Sequence, residues 1–200
     1  MSIRVIGLTG PTGAGKTTVC EAAAKLDIPV VNADTVSREA VLPGQPALNV
    51  LAKYFGNSIL QSDGSLNRKE LARSAFSSQA KTDMLNKLFL PFIVDKINQH
   101  IFKLESEGKS ALLLDAPTLY ESGADKICNE VIAILCPFEI RRQRIIIRDN
   151  LSDFDADIRM KAQKKDDFYI ERTNYIINNN GSVEELLSKS LATLNDILQK

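Results

Sequence analysis

Gly10-Pro11-Thr12-Gly13-Ala14-Gly15-Lys16-Thr17 is the stretch from which the rest of the chain is read. It matches G-x-x-x-x-G-K-[ST] without a mismatch, follows a β-branched apolar run and opens a helical pattern, the context this motif requires. Gly10, Gly13 and Gly15 let the backbone wrap an anion with its N–H groups, with Thr12 and Ala14 among the loop residues that bind it. The helix starting near Gly15 adds its positive dipole end. Lys16 can reach the β- and γ-phosphates of a nucleoside triphosphate as a point charge, and the Thr17 hydroxyl is placed to ligate Mg²⁺. Thr18 adds an α-phosphate contact. ATP and Mg²⁺ are therefore the expected cofactors. A guanine-reading N-K-x-D element is absent, since Asn86-Lys87-Leu88-Phe89 lacks the aspartate.

Outward from the loop, apolar runs recur at Ile3–Leu8, Ile28–Val31, Ala111–Leu114, Val131–Leu135 and Tyr175–Ile177, with spacers long enough for helices. That alternation predicts an α/β fold on a parallel sheet. About 75 residues between the second and third runs read as wholly helical, with Leu48, Leu51, Ala52 and Phe55 on one face and Leu71, Ala72, Ala75 and Phe76 on another. Gly56 to Gly64 punctuates this insertion, and Pro91 is expected to kink or divide the helical stretch from Lys81 to Glu107. A polar segment from Arg148 to Arg172 has few large apolar residues, so it is expected to add little core and to act as a mobile lid or a solvated hairpin. The final helix, with Leu186, Leu187, Leu191, Leu194 and Leu198, reads as core-packing rather than as a self-association stripe.

Composition sets the outer bounds. The chain has 200 residues, 44% of them hydrophobic, enough to fill a core. Lysine plus arginine equals aspartate plus glutamate at 25 each, so no global field draws the chain to nucleic acid or an acidic membrane. Cys20, Cys128 and Cys136 show no C-x-x-C spacing and His100 is the only histidine, which argues against zinc and for packing thiols in a reducing cytoplasm. The run from Met1 reaches glycine-rich sequence too soon for a signal peptide, and no apolar run approaches the roughly 18 residues of a membrane span.

With one histidine, a general base is sought among carboxylates at strand ends. Asp34 closes Val30-Val31-Asn32-Ala33-Asp34 and can accept the proton of an acceptor hydroxyl; alternatively it is a helix N-cap before Thr35. Asp115 closes Leu112-Leu113-Leu114-Asp115 and can hold Mg²⁺ or position the acceptor; alternatively it is a turn residue before Pro117. Arg144 and Arg148 lie one helical turn apart, a repulsive spacing unless an anion sits between them, which suits stabilisation of a transferring phosphoryl group. A solvated helix face is the other reading. Arg68 can meet an anion of the acceptor or simply start an exposed helix.

Taken in order, Ile6-Gly7-Leu8-Thr9-Gly10, Val31-Asn32-Ala33-Asp34, Tyr54-Phe55-Gly56, Leu66-Asn67-Arg68, Leu114 to Glu121, Arg144-Ile145-Ile146-Ile147-Arg148, Ala162-Gln163 and Ile176 to Gly181 resemble the dephospho-CoA kinase family along nearly the whole chain. The departures are Leu90-Pro91 for His-Pro, Arg141 for Gln, and Thr118-Leu119 for Leu-Leu. The resemblance implies a P-loop three-layer α/β/α core (residues 1–40, 108–147 and 173–200) on a five-stranded parallel sheet. It also implies a helical CoA-binding insertion near 41–107 and a lid near 148–172. It implies phosphorylation of the ribose 3′-hydroxyl of dephospho-CoA by ATP–Mg²⁺, with Asp34 as catalytic carboxylate, an adenine contact near Asn179, and acceptor contacts from Arg68, Asp115 and Glu121. The rival reading is a nucleoside monophosphate kinase, but a phosphate acceptor gains nothing from a carboxylate such as Asp34. A non-catalytic ATP-binding regulator would need neither the carboxylates nor the arginines.

Overall fold

The apolar runs fold as strands because each is too short for a helix and rich in β-branched residues: β1 (Arg4–Thr9), β2 (Val30–Asn32), β3 (Ala111–Asp115), β4 (Glu130–Leu135) and β5 (Tyr175–Asn178). The computed structural model describes residues 3–200; Met1 and Ser2, part of the stretch read against a signal peptide, lie outside the described residues. Among the described residues the strands form one parallel sheet in the order β2-β3-β1-β4-β5. Strand ends run past the apolar runs where a polar residue still finds a partner. Thr9 is fully buried, and its hydroxyl donates to the Pro117 carbonyl at 3.3 Å.

Consecutive residues Leu112, Leu113 and Leu114 are all 0% exposed, so both faces of the sheet are covered, as parallel sheets demand. On one face Ile6, Leu8, Leu113, Ile132 and Ile134 pack with Val19, Ala22 and Ala23 of α1 (Lys16–Lys25) and with Leu186, Leu194 and Ile197 of the C-terminal helix, Val183–Gln199. Ile197 takes the inward place in the last turn, and Leu198 is turned outward.

The described chain divides into two compact units, one made by the chain up to Val31 together with Leu104–Lys200, the other by Asn32–Lys103. The second unit holds α2 (Ala33–Glu39), α3 (Pro46–Phe55), α4 (Arg68–Ala75) and most of α5 (Gln79–Ser106). Its core gathers Val41, Ala47, Leu51, Ala52 and Ile59, with Phe55, Leu71, Leu88, Phe89 and Phe92 packed around them. It is not wholly helical: Asn57–Ile59 is a 3₁₀ turn, and an isolated antiparallel bridge joins Leu60 to Leu66 around Asp63 and Gly64. Phe76, read as a core residue, stands outside at the C-cap of α4 with 67% exposure. Nor does Pro91 divide the helix: α5 runs through it for 28 residues. One missing ladder bond is tolerated where Leu88, Phe89 and Phe92 on either side are packed.

Completing the first unit, α6 (Phe138–Asp149) follows β4, and α7 (Asp153–Lys161) and α8 (Asp166–Ile170) make up the polar segment; α9 is the C-terminal helix already described. This segment contributes more packing than its composition suggests. Ala156 and Met160 close on Ile145 of α6, and Tyr169 with Phe168 covers Ala133 and Leu135 on the other face of the sheet. Among the described residues no helix is long and apolar enough to cross a membrane.

Leu113→Ala, which removes a fully buried side chain from the sheet centre, is expected to lower unfolding free energy by about 2–5 kcal/mol. Urea denaturation followed by circular dichroism measures the loss.

Candidate active site

The loop at residues 10–17 joins the carboxyl end of β1 to the start of α1. Its shape requires glycine at two positions in particular. Gly10 has φ +135°, and a Cβ there would lie 2.5 Å from the Ile134 carbonyl oxygen; Gly15, the N-cap of α1, has φ +108°, and a Cβ there would lie 2.6 Å from the Asn179 side chain. The loop thus approaches β4 and the segment after β5 more closely than any side chain permits. Lys16 lies back along the loop, its Nζ donating to the Gly10 carbonyl at 2.8 Å and the Pro11 carbonyl at 3.5 Å.

Other side chains hold the loop from outside. Asn179, buried at 3% exposure, donates from Nδ2 to the Ala14 carbonyl at 2.7 Å while its own N–H bonds the Leu135 carbonyl at 2.7 Å. Arg144 Nη1 donates to the Gly13 carbonyl at 3.1 Å. The Thr12 N–H donates to Gln163 Oε1 at 3.0 Å, and Arg148 Nη2 lies 3.5 Å from Thr12 Oγ1. Arg144 and Arg148 therefore share one face of α6: Arg144 reaches the loop, and Arg148, itself exposed, approaches it at Thr12.

Arg148 is also chelated by Asp149, with Nε–Oδ1 at 2.8 Å and Nη2–Oδ2 at 2.9 Å, and Arg159 of α7 reaches the same carboxylate at 2.5 Å. The hydrogen bonds from Arg148, then the charges of Arg148 and Arg159, hold the Asp149 carboxyl down at about 2. Arg142 pairs with Asp157 at 2.5 Å and Asp153 at 2.8 Å, fastening α7 to α6. α7 is thus ion-paired to α6 as well as packed on it.

Asp115 stands level with Leu8 in the β1–β3 register, two residues before the loop begins, and the Ala116 N–H bonds the Leu8 carbonyl at 3.0 Å. Burial is the main cause that pushes the Cys20 thiol of α1 up to about 12, and the Asp115 carboxylate pushes the same way while Lys16 opposes it. Asp115 and Lys16 therefore act on one small region at this sheet edge. Asp34 belongs to the other unit. It is exposed in the first turn of α2, two residues beyond β2, and the N-cap is Asn32, whose Oδ1 accepts from the Thr35 N–H at 3.0 Å. The capping alternative for Asp34 is thus taken by Asn32. Arg68 is the exposed first residue of α4, capped by Asn67. Glu121 lines a cleft of about 450 Å³ with Tyr120, Asp125, Phe168 and Arg172.

The chain matches the family model described as dephospho-CoA kinase over residues 4–185. It belongs to the dephospho-CoA kinase family. A dephospho-CoA kinase of Idiomarina loihiensis is 37% identical over 182 residues, covering 91% of this chain and 89% of that one. One of Corynebacterium glutamicum is 34% identical over 195 residues, 98% of each chain. The solved dephospho-CoA kinase of Campylobacter jejuni superposes with TM-score 0.71 at 25% identity, covering 96% of both chains. In this family member, Arg141 replaces the expected Gln. It is buried at 6% exposure, its Nε donates to the Cys136 carbonyl at 2.8 Å, and its Cα lies 3.1 Å from where a Cβ on Gly13 would stand.

Two roles went unread in the sequence. Asn179 spends its carboxamide on the Ala14 carbonyl, a positioning task, and it also lines a cavity of about 190 Å³ with Cys136, Pro137, Asp166 and Asn180. Gln163 was quoted as part of a resemblance without a task, and in the structure it accepts the Thr12 N–H from its place just after α7.

Because the Asp149 carboxyl is depressed, its pairing contributes stability above the unfolded value of about 3.9 and loses it as pH falls through about 2. Urea unfolding of wild type and Asp149→Asn should show a stability gap that is constant above about pH 5 and closes progressively toward pH 2.

Proposed function

We propose that this chain transfers the γ-phosphoryl group of ATP to the ribose 3′-hydroxyl of dephospho-CoA, giving CoA and ADP. The observation that carries this reading is a complete phosphate loop, held on its outer side by Asn179 and Arg144, in a chain the family model matches over residues 4–185. The loop fits a polyphosphate: its glycines adopt positive φ at Gly10, Gly13 and Gly15, so that added side chains would collide with their surroundings, and the first turn of α1 opens directly behind them.

In this reading the loop amides other than that of Thr12, which Gln163 accepts, bind the phosphates with Lys16, and Arg144 and Arg148 stabilise charge on the transferring group. Thr17 and Asp115 offer hard oxygen ligands suited to Mg²⁺, which supplies charge neutralisation between the phosphates when bound. Asp34 accepts the proton from the attacking hydroxyl and orients it. Arg68 and Glu121, with Asp115, contact the acceptor, and the helical unit supplies much of its binding surface. A hydroxyl acceptor gives Asp34 a task that a phosphate acceptor would not. The free thiols Cys20, Cys128 and Cys136 and the balanced charge fit a cytoplasmic enzyme with a small-molecule substrate and no nucleic-acid partner.

ADP release is expected with dephospho-CoA, and none above background with AMP, UMP or shikimate. Asp34→Asn should cut kcat by about 10²- to 10⁴-fold and leave ATP affinity unchanged by calorimetry. Turnover of AMP or UMP in place of dephospho-CoA would overturn the acceptor assignment.

A further inference from the structure

Thr12 is the point where the lid meets the phosphate loop. Its N–H donates to Gln163 Oε1 at 3.0 Å, across 151 residues of chain, and its hydroxyl lies 3.5 Å from Arg148. The orientation of this carboxamide is fixed by chemistry, because a backbone N–H only donates and the atom it meets must be the oxygen; the two Nε2–H donors are left for another acceptor. The place of Thr12 along the loop is equally informative. Lys16 Nζ, the group that serves the β- and γ-phosphates, rests on the Gly10 and Pro11 carbonyls, so the Gly10–Thr12 limb is the donor end of the cradle.

Gln163 is not held there by chance contact. It follows α7 directly, with its N–H bonded to the Met160 carbonyl at 3.2 Å. Met160 and Ala156 are packed on Ile145, and Asp153 and Asp157 are paired to Arg142, so the turn that carries Gln163 is fixed to α6 by apolar and ionic contacts together. The same helix carries Arg144 and Arg148 to Gly13 and Thr12.

We propose that Gln163 is a positioning residue for phosphoryl transfer: by accepting the Thr12 N–H it sets the lid on the donor end of the cradle and so fixes the loop limb that Arg148 also reaches. The carboxamide serves as a neutral clamp. A carboxylate in its place keeps the acceptor for Thr12 but sets a negative charge beside the phosphates.

The test uses the full chain with Gln163→Ala and Gln163→Glu, read by amide hydrogen exchange at single-residue resolution and by steady-state kinetics. In Gln163→Ala, exchange at the Thr12 amide should accelerate while the amides of Asp157 to Met160 keep wild-type rates. Its kcat should fall roughly tenfold, the order of one net hydrogen bond, with the KM for ATP little changed. In Gln163→Glu, Thr12 should stay protected, and kcat relative to wild type should rise as pH is lowered toward the ordinary glutamate value of about 4.3. Unchanged Thr12 exchange and kcat in Gln163→Ala overturn the proposal. So does acceleration spread along α7, which would make Gln163 a fold residue, and so does identical behaviour of the two variants at every pH.

Discussion

The positive-φ turns of this short loop bring its carbonyls against neighbouring elements, and each buried carbonyl then needs a donor. Here side chains supply them. Lys16 serves Gly10 and Pro11, Arg144 serves Gly13, and Asn179 serves Ala14. The donors come from α1, from α6 and from the segment after β5, so the parallel sheet that spaces these elements is what holds the loop in shape. The glycine conformations are strained for any other residue, and this outer ring of donors is the compensation.

The polar segment that holds α7 and α8 follows from the same economy of charge. A segment so rich in Asp, Lys and Arg cannot bury itself as a core, but ion pairs across α6 and α7 orient it and a few small contacts seat it: Ala156, Met160 and Ile145 on one side, Tyr169 and Phe168 on the sheet. Exposed ion pairs contribute little stability singly. Their value here is geometric, since Arg142, Arg148 and Arg159 share out Asp149, Asp153 and Asp157 and leave Arg144 and Gln163 to the loop.

Features set by neighbouring residues were legible in the sequence: the phosphate loop, the strands, and the arginines one turn apart on α6. Asp115 could be placed at a strand end because the apolar run before it is unambiguous. Features set by distant partners were not legible. Asn179 and Ala14 are 165 residues apart, Gln163 and Thr12 151, and neither an asparagine nor a glutamine announces its reach in a local pattern. Phe76 fits the helical period yet faces outward because α4 ends there, and Pro91 breaks a local rule that packing overrides. The capping alternative weighed for Asp34 fell to Asn32, two residues earlier, a boundary shift that periodicity does not resolve.

The most direct measurement is the ATP affinity of Asn179→Ala by calorimetry, alongside its unfolding midpoint to show that the chain still folds. Leaving the buried Ala14 carbonyl without its donor should relax the loop and weaken ATP binding by about tenfold, within the range expected for one unsatisfied buried group. Wild-type affinity in a folded Asn179→Ala would contradict the account, because the loop would then hold its shape without the donor assigned to it.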